Sequence, residues 1–350
     1  MSKLVLYSDE SQLTRYKSYK SMNKIFYYWF INVYLGKSAY PPHFDKIFIL
    51  YDDYELESIQ MIFNMLNING KLYITKTDKY IDYFPNYKIK KDFLTIIKKN
   101  NIQYTIPTYR TVEFIIGGVQ SSIADYLTYN LSNHPDIYIN TDSDPTISQT
   151  HFYDIHWQNG IDYYKSYFDY SKRIVGEKTH SLLYLKHTFP LIYSVNPHVK
   201  IIIVLFNPAN RAFYNWIMIK EKWNYTKTFE EAIEDDINNR VSNNINFYTA
   251  TLHFVKKGFY YEQLIELFKW FPRYNILILL EEDILKNKDQ EFKKIANFLN
   301  VDDDKFSDLI IDNRIHHYKI EEVYYNKLIN IYREDILKLE NLLNIKTNWI

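Results

Sequence analysis

The stretch of sequence that decides the fold reads Phe114-Ile-Ile-Gly-Gly-Val-Gln-Ser-Ser-Ile-Ala-Asp-Tyr-Leu127. A short apolar run leads into two adjacent glycines, which predicts a buried strand, a tight turn and the start of a helix. This layout is typical of a phosphate-binding loop, because the helix directs its unpaired N–H groups and its positive dipole end towards the turn. The signature G-x-x-x-x-G-K-[ST] fails at its second Gly and its Lys. An ordinary strand-to-helix turn is therefore the alternative interpretation.

Three further segments follow in order. Residues 175–184 place Glu177 and Lys178 at the end of an extended stretch. Residues 200–216 form an apolar strand that Asn207-Pro208 ends, followed by a helix. Residues 258–280 run through a short aromatic stretch into another apolar strand. Helices are also predicted over 156–164 and 324–343.

Together these segments resemble the sulfotransferase family, in its carbohydrate (heparan-sulfate type) and bacterial branch. The resemblance covers residues 111–350. It implies an α/β fold, with a P-loop-like parallel sheet flanked by helices. It also implies transfer of a sulfuryl group from 3′-phosphoadenosine 5′-phosphosulfate to a hydroxyl of a carbohydrate or similar small acceptor, without a metal. In the family, the Glu of an E-K-[ST] motif is the base and the Lys stabilises developing charge, and these roles fall on Glu177 and Lys178.

The resemblance also implies a donor site on the loop after the first strand and on the helix after Asn207. The positions concerned are Gly118, Gln120, Ser121, Ser122, Ile123, Ala124, Asn207, Arg211 and Tyr214.

The sequence departs from the family pattern at this donor site. Ser121 replaces a Lys, and Ile123 replaces a Gly that can take a positive φ, so the loop is expected to differ in shape. The family's Arg and Ser for the 3′-phosphate fall on Phe206 and Tyr214. Loss of the two cations is expected to weaken donor binding by roughly 3–6 kcal/mol if the effects add.

Replacement charge is available from Arg173, Lys178, Lys186 or Arg211. For Arg211, however, a salt bridge that fixes its helix is the preferred interpretation.

Two classes of function remain open. The first is an active sulfotransferase, which the Glu177-Lys178 pair favours. The second is a catalytically inactive sulfotransferase-fold protein, a pseudoenzyme that binds or scaffolds a partner, which the altered donor positions favour. The first is preferred, with catalysis itself left open.

Other candidate sites have a simpler interpretation. Asp142-Ser-Asp144 resembles a metal-binding D-x-D triplet but is more typical of a polar loop, and 302–304 is expected to be a solvated acidic loop or helix cap. His151, His156 and His180 are candidates for an alternative base, but no H-x-x-x-H spacing predicts a metal site. The aromatic residues over 153–170 could form a sugar-stacking wall, although aromatics at helical spacing more often form core.

Residues 1–110 are predicted to form a separate, smaller α/β domain of structural or partner-binding role, ending between 100 and 111. The expected elements are a strand over 44–51, a helix over 55–66, a turn at Asn69-Gly70, a strand over 71–75, a helix over 90–99 and a strand over 103–106. The run 65–74 is weakly similar to the late half of a methyltransferase domain. No glycine-rich loop precedes it, so no cofactor site is expected there.

Composition sets the outer limits. The chain has 350 residues, 47% of them hydrophobic, which is enough for one large core or two modest ones. The formal net charge is zero, so nucleic-acid binding is not expected. The absence of cysteine excludes disulfides and thiolate metal sites. With no signal peptide or membrane span apparent, a cytoplasmic protein is expected. The abundance of Ile, Asn, Lys and Tyr suggests an AT-rich genome, such as that of a large DNA virus.

Overall fold

The computed structural model describes residues 110–141, 149–238, 250–306 and 318–350, and six strands before them. These six strands form a mixed sheet in the order β2-β1-β3-β4-β6-β5. β1 is parallel to β3 and β3 to β4, while the remaining pairs are antiparallel. The strands are β1 (Lys3–Leu6), β2 (Ile31–Tyr34), β3 (Phe44–Ile49), β4 (Leu66–Thr75), β5 (Tyr87–Lys90) and β6 (Phe93–Ile97).

Several predictions for this N-terminal part are wrong. Asn69 and Gly70 lie inside β4, so no turn separates them from the strand. The helix predicted over 90–99 is replaced by the end of β5 and by β6. β6 has the sequence Phe-Leu-Thr-Ile-Ile, whose aromatic and β-branched side chains favour a strand, and it pairs with both β4 and β5.

The last residue of the helix predicted over 55–66, Leu66, is instead the first residue of β4. The other residues of that prediction, and the strand predicted over 103–106, lie outside the described part of the chain. The predicted strands over 44–51 and 71–75 correspond to β3 and to the second half of β4. The division of the chain into two domains near residue 110 stays a prediction.

A second sheet contains five strands, all parallel, in the order β11-β10-β7-β9-β8. The central strand β7 pairs with β9 through Ile116 and Lys178 and with β10 through Ile116 and Ile202. These strands are β7 (Phe114–Ile116), β8 (Ile137–Ile139), β9 (Ile174–Lys178), β10 (Lys200–Leu205) and β11 (Ile276–Leu280).

Helices cover both faces of this sheet, which confirms the predicted α/β fold. They are α1 (Ala124–Ser132), α2 (Gly160–Lys165), α3 (Thr188–Val195), α4 (Pro208–Trp223), α5 (Phe229–Ile237), α6 (Tyr260–Leu267), α7 (Glu281–Lys286), α8 (Lys288–Leu299) and α9 (Glu322–Leu343). The helix predicted over 156–164 is divided into a π-helical turn, a 3-10 turn and α2.

Local sequence explains the start of the longer helices. The Asn207 side chain accepts hydrogen bonds from the amides of Ala209 and Asn210, and Pro208 occupies the first helical position of α4. Thr228 and Glu231 form a capping box at the start of α5.

The two faces of the sheet pack against different helices. Ile116, Ile202 and Val204 face α1 and α8, whereas Ile115 and Ile203 face the larger apolar cluster that contains residues of α3, α4, α6 and α9. Because both faces are covered, β10 is a continuous apolar run rather than an alternating one.

Gly176 in β9 tests how tightly the sheet is packed. A Cβ atom at this position would lie 2.1 Å from Cζ of Phe114, a buried ring on the neighbouring strand. Gly176→Ala is therefore expected to lower the free energy of unfolding by about 1–3 kcal/mol. Gly117→Ala is the matched control, since the nearest atom to its Cβ would be the end of the Ile203 side chain, at 3.2 Å. Urea unfolding compares the two, and equal stabilities would contradict the packing argument.

Candidate functional site

The carboxyl ends of β7, β9, β10 and β11 meet at one edge of the five-stranded sheet, where open α/β sheets bind their ligands. The loop 117–123 follows β7 at this edge. Its backbone continues the pairing with β10, because the amide of Val119 donates to the carbonyl of Val204 at 3.0 Å and the amide of Val204 donates to Gly118 at 2.8 Å. The strand, turn and helix predicted from residues 114–127 are therefore present.

The backbone of the loop 117–123 takes a positive φ at Gly118 and at Ser121. Gly118 has a φ of +148°, and a Cβ there would also lie 3.3 Å from the carbonyl oxygen of His180. Ser121 has a φ of 69°, whereas Ile123, at the position of the family's Gly, has a φ of −75°. The positive φ thus lies two residues before the β-branched side chain, which resists it. The expected difference in loop shape from the family stays a prediction.

A carboxylate occupies the start of α1. The side chain of Glu281, buried at the end of β11, accepts a hydrogen bond from the amide of Ile123 at 2.7 Å. This amide is the N-cap donor of α1, so one of the groups that could bind an external anion is already in use.

The two serines of the loop differ in their hydrogen bonding. Ser122 is buried and donates to the carbonyl of Val119 at 2.7 Å. The hydroxyl of Ser121 is buried without a hydrogen-bond partner in the described part of the chain. Ala124 is buried at the first position of α1. Ser121 therefore provides the loop's available hydroxyl for a ligand.

Glu177 lies near the end of β9 and is 1% exposed. One carboxylate oxygen accepts a hydrogen bond from Thr150 at 2.6 Å, and the other is buried without a partner among the described residues. Burial raises the pKa of Glu177 to about 7, although Thr150 and the neighbouring phenol of Tyr164 oppose this shift. The carboxyl group therefore exchanges its proton near neutral pH, as a general base requires.

Lys178 does not lie beside Glu177. Successive side chains of a strand point to opposite faces, so Glu177 faces the segment 150–164 while Lys178 faces α1. The Lys178 ammonium is buried and forms an ion pair with Asp125 in the first turn of α1. The two predicted catalytic residues are thus brought to the same edge but to different faces of the sheet.

Hydrogen-bonded side chains lie near Glu177 on the same face of the sheet. Asp154 accepts from Ser181 at 2.6 Å and contacts Nδ1 of His151 at 3.0 Å. Burial raises the pKa of Asp154, but the His151 and Ser181 hydrogen bonds outweigh it and hold the pKa below its ordinary value. Asp154 therefore orients His151 near Glu177. Sequence reasoning named His151 but missed Asp154 and Thr150, since neither belongs to a motif.

The other two candidate histidines have lowered pKa values. Burial lowers the pKa of His180 to about 4, and the charges of Lys178, His151 and Lys257 act in the same direction. Burial and the charge of His151 lower the pKa of His156. The His180 ring is therefore neutral at pH 7 and a weaker base than Glu177.

The residues after β10 have structural contacts. Asn207 caps α4, and its amide nitrogen donates to the hydroxyl of Tyr325 at 3.1 Å. Tyr214 stacks on Phe206 with an interplanar angle of 7°, and its hydroxyl donates to the carbonyl of Tyr318 at 3.1 Å. An aromatic pair thus occupies the positions of the family's Arg and Ser, and these contacts do not single out Asn207 or Tyr214 as a ligand contact.

Arg211 lies elsewhere, in a cleft of about 390 Å³ that Gln120 and Lys257 also line. Its guanidinium is fully buried and donates through Nη2 to the carbonyl of Phe254. No ion pair to Arg211 occurs among the described residues, so the preferred salt-bridge interpretation is not supported there. Sequence reasoning missed Lys257, which belongs to no motif.

Burial distinguishes core residues from exposed ones among the aromatic and acidic candidates of the sequence analysis. Tyr153, Trp157, Tyr164 and Phe168 are buried core residues, whereas Tyr163, Tyr167 and Tyr170 are only half-buried. The residues 302–304 are exposed, and 303–305 form a 3-10 turn. Asp142 and Asp144 lie outside the described residues.

Within the described part of the chain, no group of three His, Asp or Glu side chains is arranged to hold a metal, and no helix has the length and apolarity to cross a membrane.

Sequence comparison identifies a sulfotransferase relative. No family model matches the chain. The chain is 20% identical to the membrane-associated sulfotransferase kil1 of Dictyostelium discoideum, over 67% of this chain. It spans 66% of the length of that relative.

Structural comparison finds solved sulfotransferases that resemble this chain. The sulfotransferase of Alicyclobacillus acidocaldarius has a TM-score of 0.58 at 23% identity, and the match covers 69% of this chain and 99% of that one. A mouse sulfotransferase, SULT7A1 complexed with PAP, has a TM-score of 0.44 at 15% identity, covering 65% and 84% of the two chains. The first match shows that the chain has the sulfotransferase fold, and the predicted resemblance is confirmed.

The raised pKa of Glu177 predicts a pH-dependent stability. Since the native state holds this proton more tightly than the unfolded chain, the resulting stability is present at low pH and is lost as pH rises through about 7. Relative to Glu177→Gln, which cannot ionise, the wild type should lose roughly 3 kcal/mol of unfolding free energy between about pH 4 and about pH 8. Urea unfolding at several pH values measures this difference. Parallel curves for the two proteins would show that the Glu177 carboxyl is not perturbed.

Proposed function

We propose that this chain, which has the sulfotransferase fold, transfers a sulfuryl group from 3′-phosphoadenosine 5′-phosphosulfate to a hydroxyl of a carbohydrate or similar small acceptor. The observation that carries the proposal is the carboxyl group of Glu177, buried at the ligand-binding edge of the sheet with its pKa raised to about 7. A carboxylate of this kind can accept the proton that the acceptor hydroxyl loses as its oxygen bonds to sulfur.

The loop 117–123 has features that fit an anionic donor. The buried hydroxyl of Ser121 has no partner among the described residues, and α1 begins at Ala124. Lys178 faces the same helix start. When bound there, the phosphosulfate would supply the activated sulfuryl group, while Ser121 and Lys178 would bind and orient its oxygens.

Residues on the opposite face of the sheet support the acceptor side. Thr150 holds one oxygen of Glu177, and Tyr164 lies beside the carboxyl group. The half-buried rings of Tyr163 and Tyr167 meet edge to face at 5.2 Å. Such rings can stack on a sugar. We place the carbohydrate acceptor on this half-buried rim, beyond the buried aromatic core.

The second candidate function is an inactive binding protein. Two observations favour it: the carboxylate of Glu281 uses the Ile123 amide, and Lys178 is neutralised by Asp125. Under this alternative the fold is retained without donor binding, and a protein partner would bind through the N-terminal residues. Under both candidate functions we propose a cytoplasmic location.

Titration calorimetry with adenosine 3′,5′-bisphosphate, with ATP as the comparison ligand, tests donor binding directly. Micromolar affinity for the bisphosphate that exceeds the affinity for ATP supports the enzyme. No binding at millimolar ligand would favour the inactive protein.

Glu177→Gln should reduce sulfuryl transfer at least about 100-fold, because general-base catalysis contributes roughly 10²–10⁴ to such rates. The bisphosphate affinity should stay unchanged, since Glu177 lies on the other face of the sheet from Lys178 and α1. Wild-type kcat/KM should rise with pH through about 7. Glu322→Gln, at an exposed position of α9, is the control. Full activity of the Glu177 variant would exclude this residue as the base.

Glu281→Gln should tighten binding of the bisphosphate roughly two- to fivefold, because a charge at a helix N-terminus is worth about 0.3–1 kcal/mol. The exposed Asp283, also in the first turn of α7, provides the control Asp283→Asn. If both variants bind as the wild type does, Glu281 does not compete for the donor position. Calorimetry provides the measurement.

A further inference from the structure

The cleft beside Arg211 contains two buried cations. Arg211 is fully buried, and its Nε and Nη1 atoms have no hydrogen-bond partner within the described part of the chain. Its Nη2 atom donates to the carbonyl of Phe254, a neutral group. The phenol of Tyr332 lies near the guanidinium but donates its own proton to the carbonyl of Val255, at 2.8 Å.

Lys257 is the second cation, and it is 6% exposed. Its ammonium donates to the amide oxygens of Gln120, at 2.6 Å, and Asn215, at 3.3 Å. Both partners are neutral. Burial lowers the pKa of Lys257 well below its ordinary value, and the charge of Arg211 lowers it further.

One carboxylate lies close enough to affect Lys257, that of Asp236. Its Oδ2 atom accepts from the amides of Val255 and Lys256, at 2.7 and 2.9 Å, and Oδ1 lies 3.5 Å from the Lys256 ammonium. Asp236 is therefore already engaged with Lys256. No direct ion pair joins it to Arg211 or Lys257 in the described ranges.

This arrangement is costly without a further anion. Burying two like charges with neutral partners is unfavourable, and it becomes favourable when an ionised group can accept from both. Gln120 connects the cleft to the loop after β7, and His180 and Ser181 line its other side. The cleft volume of about 390 Å³ includes space that is open to solvent.

We propose that the cleft between Gln120, Arg211 and Lys257 is a binding site for an oxyanion of the phosphate or sulfate type. The Nε and Nη1 atoms of Arg211, which have no partner among the described residues, offer hydrogen bonds to such a group, and the Lys257 ammonium offers charge in the same cleft. The anion is either a phosphate of the nucleotide donor or a charged substituent of the acceptor. The site itself does not require that sulfuryl transfer takes place.

Calorimetry of the full chain with inorganic sulfate and with pyrophosphate tests the site. The wild type should bind at least one of these anions, and Lys257→Met and Arg211→Met should each weaken that binding tenfold or more. Lys220→Gln, which removes an exposed cation from the same helix as Arg211, should bind as the wild type does. Absence of binding to the wild type, or equal binding by Lys257→Met, would overturn the proposal.

Thermal unfolding separates a binding site from a structural role. Without anion, Lys257→Met should be as stable as the wild type or more stable, because it removes a buried charge. Sulfate should then raise the melting temperature of the wild type more than that of the variant. A Lys257→Met variant that is less stable and responds equally to sulfate would show that the lysine is structural, and the proposal would fail.

Three further binding measurements identify the anion and distinguish failure of this site from failure of sulfuryl transfer. A Lys257-dependent preference for adenosine 3′,5′-bisphosphate over adenosine assigns the site to the donor, whereas the same dependence for a sulfated over an unsulfated disaccharide assigns it to the acceptor. Glu177→Gln should keep the anion binding even if transfer is lost. If Ser121→Ala abolishes the binding while Lys257→Met keeps it, the anion occupies the loop instead and the proposal is wrong.

Discussion

The parallel pairing of β7 with β9 on one side and β10 on the other is the constraint on which the site depends. It brings the ends of these strands to one edge, so that the loop 117–123, Glu177 and Asn207 become neighbours although they are distant in sequence. It also continues past β7, because the backbone of Gly118 and Val119 pairs with Val204. Because the amide of Gly117 also donates to the carbonyl of Ile202, the loop is part of the sheet for three residues beyond the strand, and its position is set by β10.

The same pairing determines which side chains can act together. Side chains alternate across a strand, so Glu177 shares a face with Ile115 while Lys178 shares the other with Ile116. Glu177 is surrounded by Thr150, Tyr164 and the Asp154–His151 pair, a poorly hydrated environment that favours the protonated carboxyl. Lys178 meets α1 and Asp125 instead. Under the proposed function, in which Glu177 is the base and Lys178 contacts the donor, the acceptor and the donor approach from opposite sides of one strand.

Charge is distributed in an unexpected way across this edge. A carboxylate, Glu281, lies at the helix start where an anionic ligand is expected, and two buried cations lie in the neighbouring cleft with neutral partners. The positive charge that the loop lacks is therefore located near Arg211 and Lys257. The altered donor positions seen in the sequence do not by themselves imply a loss of anion binding, because the cleft provides cations from other elements.

The sequence by itself determined the α/β fold of residues 111–350, the strand, turn and helix around Gly117 and Gly118, and the helix start at Asn207-Pro208. These features depend on apolar periodicity, on glycine and proline and on capping residues, all of which act over a few neighbouring positions. The helix predicted over 90–99 was wrong because cross-strand partners decide whether such a segment forms a strand. Only the tertiary structure decided that Glu281 contacts Ile123, that Thr150 and Asp154 surround Glu177, and that Lys257 joins Arg211. These contacts join residues on different elements, and a side chain's burial and charge partners depend on how those elements pack, which local sequence does not specify.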